Sequence, residues 1–177
     1  MEFSDAQIGA WLGSFLWPLF RIASFLMVVP IIGTQLVPMR VRLGLSFVLT
    51  LIVAPLIDSV PLVEALSLSA MLIVMQQVLI GTLLGFMFVL LMQLFVVAGQ
   101  LISMQMGLGF ASMVDPTNGV NTPILSQIFL ISVTLAFLAL NGHLVMIEVI
   151  VESFRTWPIS ATIIGTGAIG PLSLIHI

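Results

Sequence analysis

Charge is what this sequence has least of. Only 6% of its 177 residues are charged, and the basic ones are four arginines with no lysine. Ordinary soluble domains carry about 25% charged residues, so this chain cannot clothe itself in a water-facing surface. The missing lysine also removes the phosphate-loop motif, so no nucleotide-driven engine is expected within the chain. A net charge of −3, with arginines scattered at positions 21, 40, 42 and 155, offers no basic face to a phosphate backbone. Nucleic acid is therefore excluded as a partner. Cysteine is absent altogether, which excludes disulfides, thiolate metal sites and cysteine nucleophiles. The two histidines, His143 and His176, are too few for most His-based metal sites, so no metal or cofactor is expected.

What is present is apolar. The chain is 60% hydrophobic, its mean hydropathy is +1.31, and its apolar residues fall in long runs without alternation. That pattern indicates an all-α, polytopic helical membrane protein. The N-terminus Met1-Glu2-Phe3-Ser4-Asp5 is acidic and lacks the basic start of a signal peptide, so the first apolar segment is expected to be a retained span.

The first span reads from about Trp11 to Ile32, with Pro18 and Pro30 inside it and Arg21 near its middle. Gly33 to Arg42 reads as a turn, Leu43 to Ile57 as a short second span, and Asp58 to Glu64 as a polar interval. No charged residue occurs from Ala65 to Val114. One helix from Leu66 to Ala98 would be about 50 Å long against a hydrocarbon core of about 30 Å. Gly81-Thr-Leu-Leu-Gly85 is where such a helix would break or be crossed closely; Gly9 and Gly13 share that spacing. Gly99 to Pro123 reads as an irregular loop, and Ile124 to Val151 as a last span interrupted at Asn141-Gly142-His143. The close basic pair Arg40 and Arg42 assigns the first loop to the cytoplasm and the N-terminus to the outside.

Few residues could carry chemistry. Arg21 at mid-span must face protein or water, either bonded to carbonyls or a carboxylate of another helix or lining a solute path. Gln76, Gln77, Asn141, His143 and Glu148 are the other intramembrane polar positions. His143 and Glu148 could form a proton relay in a small-solute transporter, although five positions apart they do not share a helical face squarely. Asp115 before Pro116 most simply caps a turn, because an aspartyl catalyst needs a second carboxylate or a metal. No catalytic constellation emerges, and a non-enzymatic role is expected.

The most informative stretch runs from Gly99 to Pro116 and centres on Met104, Met106, Gly107, Leu108, Gly109, Phe110, Ala111, Ser112, Met113, Val114, Asp115 and Pro116. It is flexible by its glycines and too apolar for water. Irregular backbone at membrane depth must be buried in protein or line a cavity, and methionines deform to fit varied contours. A gate or plug fits that description, as does an ordinary buried interhelical loop.

Several stretches together resemble the FliR family of type III secretion export-gate subunits. They are Trp17-Pro-Leu-Phe-Arg21, Val37-Pro-Met-Arg-Val-Arg-Leu-Gly-Leu45, Gln76-Gln-Val-Leu-Ile-Gly81 with Gly85-Phe86, Gly99 to Ala111, Val114-Asp-Pro116, Asn121-Thr-Pro123 and Asn141-Gly-His143. The resemblance implies bent, FliP-like helical hairpins in residues 1–158, with Gly107 to Pro116 plugging a closed channel. It further implies a ring with FliP and FliQ, FlhB and FlhA nearby, in the bacterial inner membrane at the flagellar basal body. Exported flagellar proteins would be the substrates; injectisome use is the alternative. Residues 159–177 read as an atypical tail, truncated or artefactual, with no FliQ-like portion.

Overall fold

The computed structural model describes residues 5–57, 61, 63, 67–108, 112–114 and 121–160, with side chains placed from residue 13 onward except in 112–114. Five helices account for most of them: α1 (Asp5–Val28), α2 (Met39–Val53), α3 (Leu68–Gln105), α4 (Ile124–Ala139) and α5 (Gly142–Thr156). A 3-10 turn, Ala54–Leu56, extends α2. Between α3 and α4, β1 (Ser112–Val114) pairs antiparallel with β2 (Asn121–Pro123), Met113 opposite Thr122. The fold is all-α apart from this ribbon. By length and composition two helical segments can cross a membrane, Met39–Leu56 and Leu68–Gln105, and a third if α4 and α5 are one span broken by their 70° bend.

The boundaries depart from expectation in instructive ways. α1 begins before Trp11, runs through Pro18, and ends ahead of Pro30, which cannot donate to a preceding turn. Ile31 then takes a left-handed conformation at φ 76°, which is rare for a β-branched residue and redirects the chain toward α2. α2 starts four residues earlier than its expected span, so Arg40 and Arg42 lie in its first turn rather than in a loop. α3 is unbroken at Gly81 and Gly85 and continues through Gly99 to Gln105, 38 residues or about 57 Å. The expected loop from Gly99 is thus helical for its first third, and part of the remainder is the ribbon.

Glycine persists inside α3 because each one meets a neighbouring backbone. A Cβ on Gly81 would collide with the Arg21 carbonyl and the Ser24 hydroxyl, and one on Gly85 would sit 3.0 Å from the Phe25 carbonyl oxygen. On Gly99 it would lie 2.7 Å from Cα of Ser126. α1 therefore lies against the first half of α3 and α4 against the second. Phe25, Phe88 and Phe137 link α1, α3 and α4 through edge-on ring contacts at 6.1 and 6.5 Å. Gly13, by contrast, meets only Trp17 of its own helix.

The core is apolar, with Ile22, Phe25, Ile73 and Ile150 among its buried residues, but on α2 and α4 the buried positions are mainly polar and the exposed ones apolar. The residues of α2 that are buried are Ser46, Thr50 and Val53, while Phe47, Val48, Leu51 and Ile52 are exposed. On α4 the buried pair is Ser126 and Gln127. Ser46 and Thr50 bond carbonyls of their own helix, to Leu43 at 2.7 Å and to Ser46 at 2.7 Å. Such a surface is stable only against lipid or other apolar protein.

Candidate functional site

Three clusters contain most of the residues singled out by sequence. The first is a joint around Arg21, which is fully buried. Its Nε donates to Gln77 Oε1 at 2.7 Å, one terminal nitrogen donates to Ser153 O at 2.9 Å and Ser153 Oγ at 3.3 Å, and the other donates to Trp157 O at 2.9 Å. The guanidinium also lies 4.3 Å from the Phe154 ring centroid. No carboxylate of the described residues takes part. Ser153 and Trp157 lie at the C-terminal end of α5, where free carbonyls and the helix dipole favour a cation. Of the two sequence readings of Arg21, the geometry selects bonding to carbonyls over a solute path.

The joint assembles from three helices. Arg21 comes from α1, Gln77 from the buried stripe of α3, and Ser153 from α5, brought back by the bend at Asn141. Asn141 has a left-handed φ of 58°, and its carbonyl accepts from Leu144 at 2.8 Å. Ser24, one turn beyond Arg21, bonds the Arg21 carbonyl at 3.0 Å and covers the place where Gly81 crosses. Gln76, the neighbour of Gln77, is only half buried and takes no part in the joint. The Nε2 of Gln77 has no acceptor among the described residues.

Asn141, His143 and Glu148, which sequence offered as a relay or as a polar interruption at a kink, are all exposed, and Asn141 stands at the bend between α4 and α5. His143 and Glu148 are set on α5 for an outer face, whereas Ser153 and Phe154 face the joint.

The second cluster is the Met- and Gly-rich segment after α3. Met104 lies in the last turn of α3 at 70% exposure, and Met106, its C-cap, at 64%. Gly107 takes φ +72°, which lets Leu108 N reach Ser103 O at 2.9 Å and closes the helix. Ser112, Met113 and Val114 form β1, and β2 contacts both α3 and α4. Gly109, Phe110, Ala111, Asp115 and Pro116 lie outside the described residues. The ribbon was not legible in the sequence, since its three-residue strands carry no alternation.

The third cluster is the basic pair. Arg42 folds back on the α1–α2 turn, donating from Nε and a terminal nitrogen to Val37 O at 3.2 and 3.0 Å, and to Gly33 O at 3.4 Å. Arg40 is exposed and has no hydrogen-bond partner among the described residues. Sequence reasoning did not find Ser153, Phe154 and Trp157, whose separation from Arg21 by more than 130 residues leaves no local signal.

Among the described residues, the Arg21 joint holds α1, α3 and α5 together. Comparison with known proteins agrees in kind. The flagellar biosynthetic protein FliR of Escherichia coli K12 is 36% identical over 168 residues, covering 95% of this chain and 64% of that protein. The FliR of Pectobacterium carotovorum is 36% identical over 163 residues, with 91% and 61% covered, and that of Bacillus subtilis 30% over 142, with 80% and 54% covered. The chain therefore spans less than two thirds of the length of these curated relatives. The family described as bacterial export proteins, family 1, matches residues 12–175. With that match running through all three clusters, the chain belongs to the bacterial export proteins, family 1.

Proposed function

We propose that this protein is a non-enzymatic wall and closure subunit of the flagellar type III export gate in the bacterial inner membrane. In this reading it sits in a ring with FliP and FliQ, with FlhB and FlhA nearby, and unfolded flagellar proteins pass through the ring. Energy comes from those partners. The flagellar names of the relatives favour this use over an injectisome.

The observation that carries the closure role is the exposed apolar end of α3. Met104, Met106 and Leu108 stand 70%, 64% and 50% exposed, just before a ribbon whose β2 strand contacts both α3 and α4. Deformable side chains on a short tethered segment suit a seal that yields to chains of varied shape. Deleting residues 106–116 from the assembled complex is the direct test. The expected result is membranes leaking small ions while export persists, read with an ion-sensitive dye and a secretion assay. Unchanged leakage overturns the closure role.

A further inference from the structure

α5 runs along the middle of α3. At one end Phe137, just before the bend, packs edge-on against Phe88 of α3, with 6.5 Å between the ring centres. At the other end Ser153 meets Gln77 of α3 through Arg21. From Gln77 to Phe88 α3 rises about 17 Å, and α5 rises as much from Gly142 to Ser153. Along this stretch α3 shows Leu79, Leu83 and Met87 to the outside at 50%, 56% and 68% exposure, in a helix long and apolar enough to cross a membrane. α5 therefore lies at hydrocarbon depth.

Its faces at that depth are opposite in kind. Gly142, Met146, Ile150, Ser153 and Phe154 are buried in the bundle. Glu148, Glu152 and Arg155, spaced at successive helical turns, form one exposed stripe on the other side. Six charged side chains are described, the others being Arg21, Arg40 and Arg42, so half of them stand on this stripe. Glu152 and Arg155 pair at 3.4 Å with 56% and 78% of their side chains exposed. Glu148 has no partner among the described residues.

Lipid does not suit such a stripe, because each charge at the middle of a span weighs roughly a hundredfold against insertion. An apolar neighbour would strand Glu148 in the same way. Water accepts all three groups as they stand, the open ion pair included. We propose that this face of α5 lines the aqueous passage of the export gate, as a polar track at membrane depth for the unfolded chain. The Arg21 joint fixes the orientation, since it turns Ser153 and Phe154 inward and leaves the stripe outward. The proposal rests on the export-gate reading and adds to it the element that forms the wall.

The chain has no cysteine, so one introduced thiol reports on its own position. Glu148→Cys and Glu152→Cys, each in the assembled complex in membrane vesicles of both orientations, are treated with a charged, membrane-impermeant thiol reagent. Both should label at least about tenfold faster than Leu83→Cys, because a hydrated thiol ionises and reacts more readily than one in apolar surroundings. A bulky polyethylene-glycol maleimide on Glu152→Cys should then stop secretion, whereas the Leu83→Cys complex should go on secreting. Labelling no faster than at Leu83, in a complex that still secretes, overturns the α5 wall and leaves the export-gate reading standing. Attachment of the bulky reagent without loss of secretion also overturns it. So does a photo-crosslinker at Glu148 that joins lipid or another subunit of the resting complex. Absence of the unsubstituted chain from secreting complexes overturns the export-gate reading itself.

Discussion

Arg21 shows how much a single side chain can organise when no carboxylate of the described residues pairs with it. A hydrogen bond from a charged donor contributes about 1.5–3 kcal/mol, and the loss of several buried ones leaves their acceptors unsatisfied. Arg21→Leu is therefore expected to destabilise the protein by about 3 kcal/mol, read as a lowered unfolding temperature in detergent. Arg21→Lys should recover little of it, because an ammonium cannot span Gln77, Ser153 and Trp157 at once. A second contrast separates two glycines of similar appearance in the sequence. Gly81→Leu would drive a side chain into the Arg21 carbonyl, an overpacking cost of about 1–3 kcal/mol or more. Gly44→Leu, with nothing within 4 Å, should change stability by no more than about 0.5 kcal/mol in the same assay. That Arg21 must face inward was legible from its apolar setting. Its partners were not, because they are fixed by the bend at Asn141 and the register of α3, neither of which is local to Arg21.

Among the elements, α2 gives the clearest inversion of soluble logic. Its hydroxyls face α1 and its aliphatic residues face outward, so the two faces should respond oppositely to substitution. Thr50→Val removes only a bond to the same helix and should be tolerated, at a cost below about 1.5 kcal/mol. Phe47→Lys puts a charge on the outer face and should cost roughly 2.5–3.5 kcal/mol of insertion free energy, measured as a reduced membrane-inserted fraction. Apolar runs located α1, α2 and α3 and read α4 and α5 as one interrupted span, because insertion into lipid is governed by length and hydropathy. Boundaries escaped that reasoning. Gly99 is rich in loop character by composition, yet it is helical because Ser126 packs against its bare Cα. Gly81 and Gly85 likewise mark a crossing and not a break.

At the scale of the whole molecule, the length of α3 sets a geometric problem. The α1–α2 turn shares a cavity with Val89 and Gln93, and α3 runs twelve residues beyond Gln93 to Gln105, about 18 Å. If Arg40 and Arg42 mark the headgroup level, as the positive-inside expectation has it, that last third would stand outside the hydrocarbon while presenting Leu94, Leu101 and Met104 at 58–70% exposure, and it would need protein cover. A photo-crosslinker at Leu101 should therefore trap a protein neighbour in the native complex, whereas one at Leu51 should label lipid; lipid adducts at both positions would refute the division. The joint around Arg21 has one further consequence for a protein in an energised membrane. The groups that accept its hydrogen bonds are an amide, a hydroxyl and two backbone carbonyls, none of which binds or releases a proton as acidity changes. The grip of Arg21 on α5 therefore does not depend on the protonation state of the groups that accept from it.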